Sequence, residues 1–127
     1  MRARTLAGMR DLVVKVTAGA EEPERCSQAF TVAATAVASG AQVSLWLTGE
    51  AAWFALPGRA AAFTLAGAAP LDQLLGAVLQ AGTVTLCTQC AGRRGIEAAD
   101  VLPGIRIAGA AAFVSEVTAD TAQALVY

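Results

Sequence analysis

The chain has 127 residues, enough for one domain and one core. Nine basic residues stand against ten acidic ones, and none of the basic residues are massed as a phosphate backbone requires, which excludes nucleic acid as the main partner. Hydrophobic residues make up 56% of the chain and charged residues only 15%, where about 25% is usual; a surface so short of charge points to a homo-oligomer with an apolar interface.

Arg2, Arg4 and Arg10 make residues 1–10 a basic extension, read as a solvated, frayed end without the long apolar run of a secretory signal. Asp11 to Thr17 (DLVVKVT) is β-branched and predicts a first strand. After a small loop at Thr17-Ala18-Gly19, acids and Pro23 open a helix whose apolar stripe runs through Cys26, Phe30, Ala33, Ala34 and Val37. Gly40 stops it, and Gln42 to Leu47 (QVSLWL) predicts a second strand. Gln28 to Gly49 carries no charge, but helix followed by strand makes two buried elements rather than a membrane span.

Thr48-Gly49-Glu50 turns into a short apolar segment around Trp53 and Phe54, broken at Pro57-Gly58. Arg59 to Ala69 is loop or weak strand. Leu71, Leu74, Leu75, Val78 and Leu79 recur at i, i+3, i+4, i+7 and i+8 and predict a helix from Pro70 to Gly82. Thr83 to Cys87 (TVTLC) is a third strand. A short helix over Thr88 to Arg94 and a turn over Glu97 to Leu102 follow. Ile105 to Ala108 is a strand, and Gly109 to Ala119 a helix with Phe113, Val114 and Val117 inward. Ala122 to Val126 is the last strand. Strands alternating with helices imply a parallel sheet, and runs this apolar imply cover on both faces. Residues 11–127 thus read as one α/β domain. Lys15, inside the first strand, would reach solvent from an edge or lie along apolar surface with its ammonium in water.

Ligands of open parallel sheets sit beyond the carboxyl ends of the strands, where Thr17-Ala18-Gly19, Thr48-Gly49-Glu50 and Cys87 gather. Cys87 ends a strand before a helix start, whose N–H groups stabilise a thiolate, and Arg93 or Arg94 could add positive field. Position alone does not separate a reactive Cys87 from a buried, inert one. Cys90 completes a C-x-x-C, read either as a redox partner or as a helix residue packed on the sheet. Cys26 reads as core. Glu50 is an acid near the site or a solvated helix start. With no histidine and one further cysteine, a zinc set is incomplete, and neither G-x-G-x-x-G nor a Walker lysine loop occurs; no metal and no cofactor are expected. Three cysteines, an odd number, and no signal or span point to the cytoplasm.

The segment Cys87-Thr-Gln-Cys-Ala-Gly-Arg93-Arg94-Gly95-Ile96 resembles the cysteine motif of the DsrE/DsrF-like sulfur-relay proteins. The first strand with its small loop, the acids with Pro23 and Arg25, the Leu-rich helix from Pro70 and the final strand extend the resemblance over residues 11 to 127. It implies a three-layer α/β/α fold with a parallel sheet of about five strands. It also implies assembly into homotrimers, homohexamers or hetero-oligomers. Cys87 would carry a persulfide between a sulfur donor and an acceptor protein, its anion held by Arg93 or Arg94. Cys90, where the better-known carriers often have a small residue, would be an optional resolving thiol. The other readings are a non-catalytic oligomeric binding protein of this fold and a Cys87/Cys90 thiol-disulfide switch.

Overall fold

The computed structural model describes residues 10–127; Arg2 and Arg4 lie outside the described residues. The β-branched opening run forms β1 (Asp11–Val16), and Pro23 opens α1 (Pro23–Ala38). β2 (Gln42–Leu47) leads into a 3-10 helix over Gly49–Ala55. The ambiguous stretch from Arg59 forms only α2 (Arg59–Ala62) and then a loop. α3 (Leu71–Ala81), β3 (Thr83–Cys87) and α4 (Thr88–Arg93) follow where the pattern puts them. A 3-10 turn at Ala98–Asp100, β4 (Ile105–Ala108), α5 (Ala110–Val117) and β5 (Ala122–Val126) complete the fold.

The five strands are all parallel, in the order β4-β3-β2-β1-β5. β1 to β3 step in one direction across the sheet, and right-handed crossovers put α1 and α3 together on one face. The connection from β4 to β5 runs back the whole width of the sheet, so the same handedness carries α5 over the opposite face. The result is the predicted three-layer α/β/α arrangement.

The two faces differ in chemistry. Val14, Val16, Leu45, Leu47, Val84 and Leu86 alternate onto the α1/α3 face and are fully buried with Phe30, Leu75 and Val78. The other face carries the cross-strand row Val126–Lys15–Trp46–Thr85–Arg106. Its helix, α5, has eight residues and spans about 12 Å, while five strands at about 4.8 Å spacing are about 19 Å across. One helix therefore cannot cover this face as fully as two cover the other, and no residue of α5 is fully buried. This corrects the inward placement of Val114, which is 53% exposed; Phe113 is the aromatic that packs on the sheet, edge to face with Trp46 at 5.3 Å. It also corrects the reading of Lys15 on an edge strand, because β1 lies between β2 and β5. Among the described residues, no helix is long and apolar enough to cross a membrane.

Candidate functional site

β3 and β4 are the adjacent strands whose outgoing connections diverge: α4 follows β3, while α5 leaves β4 for the opposite face. Such a divergence opens a crevice at the carboxyl edge of a parallel sheet. Cys87 ends β3 at this point, in register with Ala108 at the end of β4. It is half-buried and lines a cavity of about 300 Å³. Lys15 and Trp46 contribute from the sheet, Thr48 and Gly49 from the loop after β2, Cys90 and Arg93 from α4, and Ala110 and Phe113 from α5.

Burial alone pushes the Cys87 thiol up. The Cys90 backbone N–H, the Cys90 thiol, the Gln89 backbone N–H and the charge of Lys15 outweigh it and hold Cys87 below its ordinary value. The thiolate is the nucleophilic form, so this is a setting for sulfur chemistry. Cys26 is the opposite case. It is fully buried on α1, and desolvation, with the Glu21 charge added, pushes its thiol up to about 12. Cys90 is buried among core residues, and its sulfur accepts a hydrogen bond from the Gly49 N–H at 3.2 Å.

The two arginines part company. Arg93 lines the cavity. Arg94 is bound to Glu50 (Nη2–Oε2 2.8 Å, Nε–Oε2 3.2 Å) and donates through Nη1 to the Cys90 carbonyl at 3.2 Å. Arg93, the last residue of α4, borders the cavity, while Arg94 at the helix C-cap ties α4 to the loop after β2. Lys15 sits over the Phe113 ring, its Nζ 5.2 Å from the centroid. Among the described residues, neither Lys15 nor Arg93 is ion-paired.

The roof of the cavity is held by a residue the sequence did not single out. Glu116 on α5 accepts from Ser44 Oγ (2.6 Å) and Trp46 Nε1 (3.0 Å) through one oxygen, and from Arg106 through the other. Arg106 also donates to the buried Thr85 hydroxyl at 2.9 Å and covers the Trp46 ring. Burial pushes the Glu116 carboxyl up, but hydrogen bonds from Ser44, Trp46 and Arg106 and the Arg106 charge together hold it below its ordinary value. The only sequence signal is a lone acid in the otherwise apolar or small run AAAFVSEV.

Gly49 closes the site from the β2 side. Its φ of +52 and the Thr17 carbonyl, 2.5 Å from where a Cβ would stand, leave room only for glycine. Gly49→Ala is expected to cost about 1–3 kcal/mol in a denaturant titration and to loosen the hydrogen bond on Cys90. An unchanged midpoint would show that the loop relaxes freely.

Fold and site together define a class: α/β/α proteins with a parallel sheet that present a partly exposed thiol at the strand edge, in a cavity lined by a lysine and an arginine. The chain belongs to the DsrE/DsrF-like family, whose sequence model matches residues 11–122; that family is linked in general to sulfur relay. The ychN protein from E. coli superposes with a TM-score of 0.72 at 19% identity, covering 92% of this chain and 99% of that one. MTH1491 from Methanobacterium thermoautotrophicum, a protein of unknown function, gives 0.70 at 7% identity, covering 93% and 99%. At these identities the likeness is one of fold. No curated protein matches the chain.

Proposed function

We propose that this chain is a sulfur-transfer protein that carries a persulfide on Cys87. The observation that carries the reading is the Cys87 thiol itself: half-buried in a cavity at the carboxyl edge of the sheet, with a lowered pKa and Lys15 and Arg93 beside it. Family membership supports it. In this reading the Cys87 thiolate attacks a donor's sulfane sulfur, whose former partner leaves with the bonding electron pair, and the persulfide is held by Lys15 and Arg93 until an acceptor protein's thiolate takes the outer sulfur and releases the Cys87 thiolate. Arg94 holds α4 to Glu50. The domain runs from residue 11 to 127 and works in the cytoplasm, as a homotrimer or homohexamer. The exposed apolar side chains Val114, Leu125 and Val126 favour such an assembly.

The test is intact-protein mass spectrometry after exposure to polysulfide. Wild type gains one sulfur atom that is lost on reduction, and Cys87→Ser gains none. Equal loading of the variant, or no loading of reduced wild type, overturns the reading.

One observation favours a second reading. Cys90 lies one helical turn beyond Cys87, and its thiol acts directly on the Cys87 sulfur. A thiol-disulfide switch would use this pair, and a reversible Cys87–Cys90 disulfide at a physiological potential would mark it.

A further inference from the structure

We infer that the Cys87 cavity admits a small sulfur-donating dianion of the thiosulfate class directly, and that Lys15 is the residue that selects it. The inference rests on the persulfide reading and adds the donor. Its first ground is size. A cavity of about 300 Å³ lies at the lower end of small-ligand sites, so it has room for a small anion and its solvation but not for a peptide strand.

The second ground is unbalanced charge. Lys15 comes from β1 and Arg93 from α4, both line the cavity, and no carboxylate lines it with them. The neighbouring Arg94 is matched by an acid, Glu50, and so is Arg106 toward the opposite end of the strands, by Glu116. Lys15 and Arg93 have no such partner among the described residues. The Phe113 ring fixes the Lys15 ammonium without neutralising it. Trp46 and Phe113 make the surroundings apolar, which strengthens attraction for an anion relative to water. A Cys87 persulfide carries one negative charge. Two unmatched cations are more than it needs, and they suit a dianion approaching a thiolate that would otherwise repel it.

The step balances without an added oxidant. The Cys87 thiolate attacks the outer sulfur of thiosulfate. A new sulfur–sulfur bond forms as the bond to the sulfonate sulfur breaks, and sulfite leaves with the bonding electron pair. One thiolate and one dianion become one persulfide anion and one sulfite dianion, with no proton released.

The experiment compares thiosulfate with polysulfide on wild type, Lys15→Met and Lys15→Arg, reading sulfite release and mass gain on Cys87. Wild type is expected to load from both donors. Lys15→Met should slow both donors, with the ratio of its thiosulfate rate to its polysulfide rate falling about tenfold or more, and an unchanged thermal midpoint shows that the fold is intact. Lys15→Arg should restore most of the loss, which a packing role would not predict. Polysulfide loading without any thiosulfate loading overturns this inference and leaves the carrier reading standing. An unchanged ratio in Lys15→Met overturns the role of Lys15. Failure of both donors on wild type overturns the inference together with the carrier reading.

Discussion

Iodoacetamide at pH 8 is expected to modify Cys87 at least about a thousandfold faster than Cys26. A thiol titrating at the ordinary 9.0 is about one-tenth thiolate at that pH, and Cys87 lies below that value. A thiol pushed up to about 12 is thiolate in about one molecule in ten thousand. The ratio of thiolate fractions alone gives the factor, and the complete burial of Cys26 widens it. Peptide mapping after timed quenching reads both sites in one sample. Comparable rates would mean that α1 opens to solvent far more readily than its packing allows. The site also fixes the direction of the pH dependence: the Cys87 rate should level off at a lower pH than that of a free cysteine peptide. A plateau at or above the peptide's would remove the role given to Lys15 and the Cys90 N–H.

Glu116→Ala is expected to cost about 2–4 kcal/mol, because it leaves the buried Trp46 N–H without an acceptor and Arg106 without its carboxylate. Glu116→Gln keeps an oxygen for Ser44 and Trp46 but loses the charge, so its cost should be smaller, about 1–2 kcal/mol. The pH dependence has a definite sign. The folded carboxyl titrates below its ordinary 4.5, so its contribution is fully present above that pH and disappears as the pH falls through the lower, folded value. Urea titrations from pH 6 downward should therefore show a steeper acid limb in wild type than in Glu116→Gln. Identical limbs would mean that the Glu116 network adds nothing to stability. Because α5 carries Phe113 and Ala110 over Cys87, the same variants should also raise the alkylation rate of Cys87.

The elements of this fold were legible because each carries its own local signal. α3 has five leucines and valines at helical spacing, β1 and β2 are β-branched or aromatic runs, and Pro23 and Pro70 mark helix entries. The placement of Cys87 was legible for a more general reason, since any residue ending a parallel strand before a helix lies on the ligand-binding edge. What stayed hidden depends on register and strand order. Lys15 meets the site because β1 pairs with β2 so that Lys15 lies beside Trp46, and Trp46 beside Thr85, two residues before Cys87. Nothing within the run DLVVKV encodes that alignment. Val114 was misplaced because α5 is apolar or small over most of its circumference, and periodicity cannot choose a face when both sides offer one. Arg93 and Arg94 are indistinguishable in sequence; only the position of Glu50, set by the 3-10 helix after β2, separates them.

The long return from β4 to β5 has a consequence in time. During synthesis the chain delivers β1 to β4 with α1 and α3 first, which is enough to bury the apolar face of the sheet. The helix that roofs the thiol and the strand that pairs with β1 beyond Lys15 follow them. A nascent chain therefore displays Cys87 on an open sheet face, without Phe113 to hold the Lys15 ammonium above it. The enclosed, positively charged environment of the sulfur is a property of the packed fold alone, so the thiol acquires it only once α5 docks over the sheet.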